Sequence, residues 1–314
     1  MKKPLMCALI VLFCVLSMSC ERRTAVVDTR PRVAVALGTM GNTWHAQLRH
    51  VIDAAVVNHP DINWTVRNAQ DAQDQIGMLT YFNNENYDAV IIMPMDGNLI
   101  VPIAEHIFFG GIPTVIVNRR INSPNYTALV TGDNYGGGVN AARLLGQRLD
   151  GQGNIAVLRM FAGTPIDLDR FAGFNSTLAR EFPNIRIVAQ ADGESTREAG
   201  QRAMTSILLN FSHIDAVFTQ DDETALGALA AIQSAGRTDI RYITGFGGTR
   251  PTYERFLAED PIYLASMSYF PSMGFDAVEM VVRILRGIPF PKDTILASQA
   301  VGAWNVRDFW ADSY

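Results

Sequence analysis

The feature that most constrains the fold is a regular alternation of short apolar runs with segments of helical period. Residues 33–37, 88–93 and 214–219 are rich in Val, Ile and Ala, as expected of strands buried on both faces of a sheet. The segments between such runs carry apolar residues every three or four positions, for example Leu226, Leu229 and Ile232. Strands that alternate with helices predict βαβ units and therefore parallel sheets.

The alternation occurs twice along the chain. The first set of predicted strands covers residues 33–37, 62–66, 88–93, 113–117 and 127–131, and the second covers 154–158, 185–189, 214–219, 242–244 and 262–267. A helix at about 272–285 and an extended piece near 295–300 follow. No low-complexity linker separates the two sets. We therefore expect two similar lobes, with a tight hinge near Asp133 and a binding crevice between the lobes.

Length and charge exclude one class of partner. The chain has 314 residues, enough for about two domains, and a formal net charge of -5 at pH 7. No run of lysine and arginine suited to tracking phosphates is present. We expect no nucleic-acid partner.

The first residues have the pattern of an export signal. Lys2 and Lys3 precede an apolar run at 5–16, which is short for a span of a lipid bilayer. Residues 17–20, Ser-Met-Ser-Cys, resemble a bacterial lipobox, and they also suit cleavage by an ordinary signal peptidase at the same bond. Both interpretations predict export with residues 1–19 as the signal peptide, and the first makes Cys20 a lipidation site at the start of a tether, residues 20–31.

The cysteines exclude several kinds of chemistry. Cys7 and Cys14 would leave with the signal peptide, and no cysteine follows Cys20. The folded part of the chain is therefore expected to have no disulfide, no thiolate nucleophile and no cysteine-ligated zinc.

Motifs for metals, cofactors and hydrolysis fail at specific positions. His45 and His50 lie five positions apart, whereas two ligands on one helical face need a spacing of three or four. The sequence Gly-Phe-Gly-Gly at 245–248 would need a further glycine at Arg250 to bind a dinucleotide. No Gly-x-Ser-x-Gly elbow is present. We expect no metal and no cofactor.

The polar segment Gln-Asp-Asp-Glu at 220–223 lies between a predicted strand and a predicted helix. Open α/β sheets bind ligands at the carboxyl ends of their strands, so these side chains are expected to face the crevice. From spacing alone, Asp221 is either a solvated loop residue or a ligand contact, and Asp222 is the helix cap. We predict that Asp221 contacts the ligand.

Acidic residues near the crevice leave two functions open. Asp167, Asp169, Asp221 and Asp222 suit either a glycoside hydrolase, in which two carboxylates flank a sugar bond, or a non-catalytic sugar site. In the second case guanidinium forks and aromatic faces would complete the site. Side chains of these types lie at or beside strand-to-helix transitions: Trp44, Arg119, Arg170 and Asp221.

From Arg32 onwards the chain resembles the periplasmic sugar-binding proteins of ABC transporters, of the ribose-binding type. The resemblance rests on residues 42–45, 112–119, 162–174, 220–227 and 245–249, of which Gln-Asp-Asp-Glu-Thr-Ala-Leu-Gly at 220–227 is fairly specific. Lactose-repressor-type regulators belong to the same family, but this chain has a signal where they carry a DNA-binding head.

The resemblance implies roles for individual residues. Trp44 and His45 match the aromatic pair that sandwiches the sugar from the first lobe, and Asn42 matches a hydrogen-bonding asparagine. Arg119 and Arg170 match the two arginines that hold ring or hydroxyl oxygens.

The chain also departs from the pattern of a pentose binder at five positions. Asn118 replaces an aspartate, Asp221 an asparagine, Gly247 an aspartate and Tyr269 a glutamine, while Met93 stands where a polar asparagine often lies. These replacements make the predicted pocket more apolar, and a buried polar site discriminates strongly against ligands that leave its groups unpaired. Ribose itself should therefore not be assumed to be the ligand.

The resemblance implies the type I periplasmic-binding-protein fold, in which two α/β lobes with parallel sheets are joined by three crossovers, near Asp133, Tyr269 and Ala300. The expected N-terminal lobe comprises residues 32–132 and 270–302, and the C-terminal lobe 133–269 and 303–314. The expected protein is a periplasmic, lipid-anchored monomer that is not an enzyme. It would deliver a sugar-like ligand to the membrane permease of an ABC importer. The alternatives are a glycoside hydrolase and a sensory protein that feeds a membrane receptor.

Overall fold

The computed structural model describes residues 28–314. The predicted signal peptide, the predicted lipidation site at Cys20 and the tether up to residue 27 lie outside the described residues. No helix within residues 28–314 combines the length and the apolar character needed to cross a membrane.

Strands and helices alternate through most of the described chain. The strands are β1 (Arg32–Leu37), β2 (Asn63–Asn68), β3 (Ala89–Ile92), β4 (Thr114–Val117), β5 (Ala128–Gly132), β6 (Gln152–Arg159), β7 (Asn184–Asp192), β8 (Ala216–Thr219), β9 (Tyr242–Gly247), β10 (Tyr263–Ser268), β11 (Asp293–Leu296) and β12 (Ala300–Val301). The helices are α1 (Thr43–Val57), α2 (Ala72–Asn84), α3 (Val101–Phe109), α4 (Asn134–Arg148), α5 (Pro165–Glu181), α6 (Arg197–Asn210), α7 (Asp222–Ser234), α8 (Arg250–Leu257) and α9 (Met273–Leu285), followed by a 3-10 helix at Val306–Asp312.

The strands form two six-stranded sheets, one in each lobe. The first has the order β11-β5-β4-β3-β1-β2, and all of its neighbouring strands are parallel. The second has the order β12-β10-β9-β8-β6-β7, in which only the pair β10 and β12 is antiparallel. The predicted class, two α/β lobes with parallel sheets, is confirmed.

Both sheets are covered on both faces, which explains the uninterrupted apolar runs in the sequence. In β1, Val33, Val35 and Leu37 belong to one buried cluster, whereas Ala34 and Ala36 belong to another on the opposite face. Alternate residues of β6 divide in the same way between two clusters. A strand with two buried faces needs apolar side chains at every position.

Most helices begin where a polar side chain caps the first turn. An oxygen of such a side chain accepts a hydrogen bond from a backbone N–H that has no partner within the helix. The side chains that do so are Asn42 for α1, Asp71 for α2, Asp133 for α4, Thr196 for α6 and Asp221 for α7.

The chain crosses between the sheets three times, after β5, after β10 and after β11. The predicted extended piece near 295–300 is two short strands in different sheets, because β11 pairs with β5 of the first lobe and β12 with β10 of the second. The predicted first lobe runs to residue 302, whereas the chain has already joined the second sheet at Ala300. The three crossovers confirm the expected hinge.

Candidate ligand-binding site

A cavity lies between the lobes, where strands β1, β4, β8, β9 and β10 end. Nine of the ten residues predicted to contact a ligand line it: Asn42, Trp44, His45, Asn118, Arg119, Arg170, Asp221, Gly247 and Tyr269. Residues that are far apart in the sequence meet here because parallel strands all end at the same edge of their sheet.

Met93 is the predicted residue that the structure leaves outside the cavity lining. Its side chain is 2% exposed and belongs to the apolar core of the first lobe. The position follows β3 directly, and the Met93 N–H still donates to the oxygen of Ala36 at 3.0 Å, as a continuing strand would. The chain becomes accessible only from Met95 onwards.

Aromatic side chains from the first lobe and the hinge form one wall of the cavity. The Trp44 Nε1–H donates to the backbone oxygen of Tyr269 at 2.9 Å, and the two ring centroids are 5.6 Å apart. The His45 ring meets Trp44 edge-on, with 5.7 Å between centroids. Asn42 holds the start of α1 in place, because its Oδ1 accepts the N–H of His45 at 2.8 Å.

His45 is electrically neutral at physiological pH. Burial lowers the pKa of its imidazole to about 4, and the positive charge of Arg119 acts in the same direction. A neutral imidazole has one nitrogen that donates a hydrogen bond and one that accepts. A hydrogen bond from the ring to the backbone oxygen of Thr39 acts in the opposite direction on the pKa and engages the donor nitrogen, so the other nitrogen of the neutral ring is left to accept from a ligand.

Asn118 and Tyr269 join the first lobe to the hinge. The Tyr269 hydroxyl donates to Asn118 Oδ1 at 2.8 Å, and both residues are buried. Asn118 has a φ of 69°, in the left-handed region that asparagine tolerates better than most residues. Pentose-binding relatives of the resemblance carry a carboxylate at this position. Here the side chain is an amide, and its oxygen accepts a hydrogen bond from Tyr269.

Arg119 presents an unsatisfied donor beside the cavity. Its Nη1 donates to the backbone oxygen of Met95 at 3.0 Å, but its Nε is buried without a hydrogen-bond partner among residues 28–314. Such a group carries a desolvation penalty until an acceptor reaches it. The second lobe approaches this arginine through the ring of Phe161, whose centroid lies 5.9 Å from the guanidinium carbon.

Arg170 is the buried cation of the second lobe. Its Nε donates to Asn134 Oδ1 at 3.0 Å, and its Nη1 donates to the backbone oxygen of Gln220. The guanidinium carbon lies 3.9 Å from the ring centroid of Phe246 and 4.5 Å from that of Tyr269. Burial lowers its pKa to about 10, so the group remains charged at neutral pH.

Asp221, and not Asp222 as expected, is the N-cap of α7. Asp221 Oδ1 accepts the N–H of Thr224 at 2.8 Å, and its Oδ2 accepts the Thr224 hydroxyl at 2.7 Å. Burial raises the pKa of the Asp221 carboxyl to about 6, against the effect of the Thr224 hydrogen bonds. The residue caps a helix and lines the cavity at the same time.

Asp222 braces the second lobe behind the cavity. Its Oδ1 accepts hydrogen bonds from the hydroxyls of Tyr263 at 2.9 Å and Ser266 at 2.6 Å. Its Oδ2 accepts the N–H groups of Gly248 at 2.8 Å and Thr249 at 2.9 Å. The carboxylate is 1% exposed, and four donors satisfy it.

The remaining acidic candidates do not face the cavity. Asp167 is fully buried and forms two hydrogen bonds of 2.6 Å with Arg159, while Asp169 pairs with Arg120. Glu223 lines the cavity, but its carboxylate pairs with Arg197 at 2.6 Å. Within the part of the chain that the structure describes, the cavity therefore lacks two free carboxylates placed to flank a sugar bond.

Asp222 and Glu223, which belong to the segment expected to face the crevice, also line the cavity. The lining residues that the sequence did not predict are Thr43, Met160, Ile166, Ser195, Phe246, Thr249 and Tyr314. Phe246 and Thr249 belong to the segment 245–249 that carried the resemblance, so attention to that segment would have found them. Ser195, with a φ of 54°, and Tyr314 lie in loops that no motif marks.

Comparison with known proteins shows the family to which this chain belongs. A family described as "Periplasmic binding protein domain" matches residues 33–289. The xylitol-binding protein of Mycolicibacterium smegmatis is 29% identical over 195 residues, which cover 62% of this chain and 55% of that protein. The chain thus aligns with little more than half the length of that relative.

Two further proteins match over more of their length. The ribose import binding protein of Bacillus subtilis is 27% identical over 218 residues, which cover 69% of this chain and 70% of that protein. Among solved structures, the fructose-binding periplasmic domain of a hybrid two-component system is 27% identical with a TM-score of 0.82, covering 90% of this chain and 94% of that one. This protein belongs to the periplasmic binding protein family.

Proposed function

We propose that this protein is an exported binding protein that captures a sugar or similar polyhydroxylated molecule between its lobes and delivers it to an ABC import permease. The observation that carries the proposal is the cavity between the lobes, beside which Arg119 Nε lies buried and unpaired. The names of the xylitol-binding and ribose import binding relatives support a ligand of this class.

The two walls of the cavity offer complementary groups to such a ligand. The rings of Trp44 and Phe246 line the cavity with apolar surface, which suits the carbon-bound hydrogens of a sugar ring, although the Arg170 guanidinium lies over one face of Phe246. Arg119, Arg170 and Asn118 supply donors, and Asp221 supplies acceptors. We propose these six residues, together with Asn42, His45, Gly247 and Tyr269, as the ligand contacts.

The proposed protein binds without catalysis. The relatives are named as binding proteins, and the carboxylates that a glycoside hydrolase needs are engaged elsewhere: Asp222 by four donors and Asp167 by Arg159. Turnover of a chromogenic glycoside, lost on Asp221→Asn, would support the hydrolase instead.

A second part of the proposal concerns the setting of the protein. We propose that it acts as a periplasmic monomer held to a membrane through lipidated Cys20, and that the closed lobes dock on the permease. Membrane association that Cys20→Ala abolishes, with the protein still exported, would support the anchor. Light scattering of the purified protein gives its oligomeric state.

The test of the binding function is calorimetric titration with pentoses, hexoses, polyols and nucleosides. We expect saturable binding to at least one, and at least tenfold weaker binding by Arg119→Gln, because the bound ligand loses a charged donor. Arg49→Gln is the matched control, since Arg49 pairs with Asp53 on α1 outside the cavity. Absence of saturable binding to the whole panel would reject the sugar-binding function.

Import has a separate test in cells. Uptake of the labelled ligand should disappear when the gene is deleted and return with the wild type but not with Arg119→Gln. Normal uptake in the deletion strain, together with a lost transcriptional response to the ligand, would instead support the sensory alternative.

A further inference from the structure

The segment that follows β12 returns to the cavity. After Val301 the chain forms the 3-10 helix Val306–Asp312, which contacts α8 of the second lobe. Tyr314 then joins the cavity lining, next to Asp222 and Gly247. A residue far along the chain from every predicted contact therefore reaches the place where the ligand is proposed to bind.

Backbone and side-chain contacts fix this segment to the loop between β9 and α8. The Arg250 N–H donates to the backbone oxygen of Tyr314 at 2.7 Å, and the Tyr314 N–H donates to the oxygen of Gly248 at 3.4 Å. The Arg250 guanidinium lies over the Trp310 ring, 4.3 Å from its centroid. Tyr314 is thus anchored at its own peptide groups and does not depend on a ligand for its position.

The Tyr314 hydroxyl occupies space that Gly247 leaves empty. A Cβ on Gly247 would lie 2.7 Å from this hydroxyl oxygen and 3.2 Å from Asp222 Oδ2. Gly247 also has a φ of 139°, a conformation that residues with a side chain rarely adopt. Position 247 therefore supplies no side chain to the site, and Tyr314 supplies one in its place.

The hydroxyl has no hydrogen-bond partner among residues 28–314, although the tyrosine lines the cavity. Burial and the carboxylates of Asp222 and Asp221 raise the pKa of Tyr314 well above its usual value of 10. The group is therefore a neutral phenol, able to donate one hydrogen bond and to accept another. Tyr314 is half-buried, so its hydroxyl is open to a hydrogen-bonding group of a ligand in the cavity.

We propose that Tyr314 is a specificity-determining residue of this cavity, whose hydroxyl hydrogen-bonds one oxygen of the bound ligand and whose ring limits the ligand's size beside Gly247. The proposal rests on the proposed binding function and adds a contact from a segment with no sequence motif. A carboxylate has two oxygens that only accept, whereas a phenol has one oxygen that both donates and accepts. The phenol of Tyr314 therefore suits a single ligand hydroxyl better than a pair of adjacent hydroxyls.

The test measures the affinities of the wild type and of Tyr314→Phe for two kinds of compound. These are the ligand that the panel identifies and its monodeoxy analogues. We expect Tyr314→Phe to bind the parent ligand roughly three- to tenfold more weakly, the effect of one net hydrogen bond. One deoxy analogue should bind the wild type and Tyr314→Phe with equal affinity, because it lacks the oxygen that Tyr314 contacts.

Two further variants separate the contact from the fold. Tyr135→Phe is the matched control, since the Tyr135 hydroxyl bonds Ser176 on the exposed surface of the second lobe, and it should bind as the wild type does. Tyr314→Leu, which removes the ring, should bind at least one ligand larger than the parent more tightly than the wild type does. Denaturant unfolding of each variant identifies any loss of fold.

The outcomes distinguish the two proposals. If the wild type binds a sugar and Tyr314→Phe binds that sugar and every analogue with the same affinity, the role of Tyr314 is wrong while the binding function stands. If the wild type binds none of the panel, the binding function is wrong and the role of Tyr314 falls with it.

Discussion

Arg120 of the first lobe and Asp169 of the second form an ion pair across the cleft, with 2.5 Å between Nη2 and Oδ2. Arg120 lies in the loop after β4 and Asp169 in the first turns of α5. Their side chains are 51% and 33% exposed, so water and salt weaken the attraction. Because its two partners belong to different lobes, the pair should stabilise the closed arrangement of the proposed hinge motion and should be lost when the lobes separate.

Breaking this pair should hasten ligand release. Exposed pairs contribute about 0.2–1 kcal/mol, so Arg120→Ala or Asp169→Asn should raise the dissociation rate by up to roughly fivefold at low salt. Stopped-flow release of the ligand measures this rate. The double variant should release the ligand no faster than either single variant does. Arg143→Ala is the control, because its partner Glu181 lies in the same lobe. Additive effects of the two single changes would contradict the coupling.

Asp221 should make the folded state less stable as the pH rises from about 4 to about 6. Burial raises the pKa of its carboxyl from 3.8 to about 6, so the folded state binds the proton more tightly than the unfolded state does. The stabilisation is full below pH 4 and is lost as the pH passes 6, by about 3 kcal/mol for a shift of about two units.

Asp221→Asn isolates this effect, because asparagine also caps helices and does not ionise. In denaturant unfolding the variant should gain stability relative to the wild type at pH 7, and the difference should shrink at pH 5. A difference that stays constant between these pH values would show that Asp221 titrates normally. Asp71→Asn, at the cap of α2 on the exposed surface, is the control.

His45 should have the opposite pH dependence. Its pKa falls from 6.5 to about 4 on folding, so the unfolded state binds more protons between these values. Stability is full above pH 6.5 and falls as the pH drops towards 4, by about 3 kcal/mol in total. Histidine ring signals in a two-dimensional nuclear magnetic resonance titration measure the pKa directly.

His45→Gln isolates this effect, because glutamine does not ionise. The loss of stability between pH 7 and pH 5 should be smaller in His45→Gln than in the wild type. Titration of the His45 ring near pH 6.5 would refute its proposed burial as a neutral group.

The hydrogen bond between Tyr269 and Asn118 should matter for stability. Tyr269→Phe leaves the buried Asn118 Oδ1 without its donor, which costs about 1–3 kcal/mol in the free energy of unfolding. Tyr126→Phe is the control, because the Tyr126 hydroxyl bonds Asp293 at the exposed edge of the same lobe. Equal losses in the two variants would argue against a special role for the buried pair.

The fold was predictable because the central strands of both sheets are buried on both faces. Apolar runs such as that of β1 leave no other arrangement for so many consecutive Val and Ala side chains. The piece near 295–300 was predicted as one strand because β11 and β12 together span only residues 293–301. Which sheet each of them joins depends on tertiary pairing, which local sequence does not encode.

The site was predictable where it sits at strand ends and not where it depends on tertiary contacts. Asp221 and Asp222 are adjacent acidic residues at a helix start, and only the four donors gathered around Asp222 decide which of them remains to cap the helix. Met93 follows a strand and stays in the core. Tyr314 arrives through a 3-10 helix whose path no periodicity reveals.

The carboxylate of Asp222 has a consequence for how binding is divided between the lobes. Its four donors come from β10 and from the loop that follows β9, so one side chain ties the second lobe's strand ends into a preorganised surface. Little conformational entropy remains there for a ligand to remove. The loss of conformational entropy on ligand binding should then occur mainly in the first lobe and in the crossover segments.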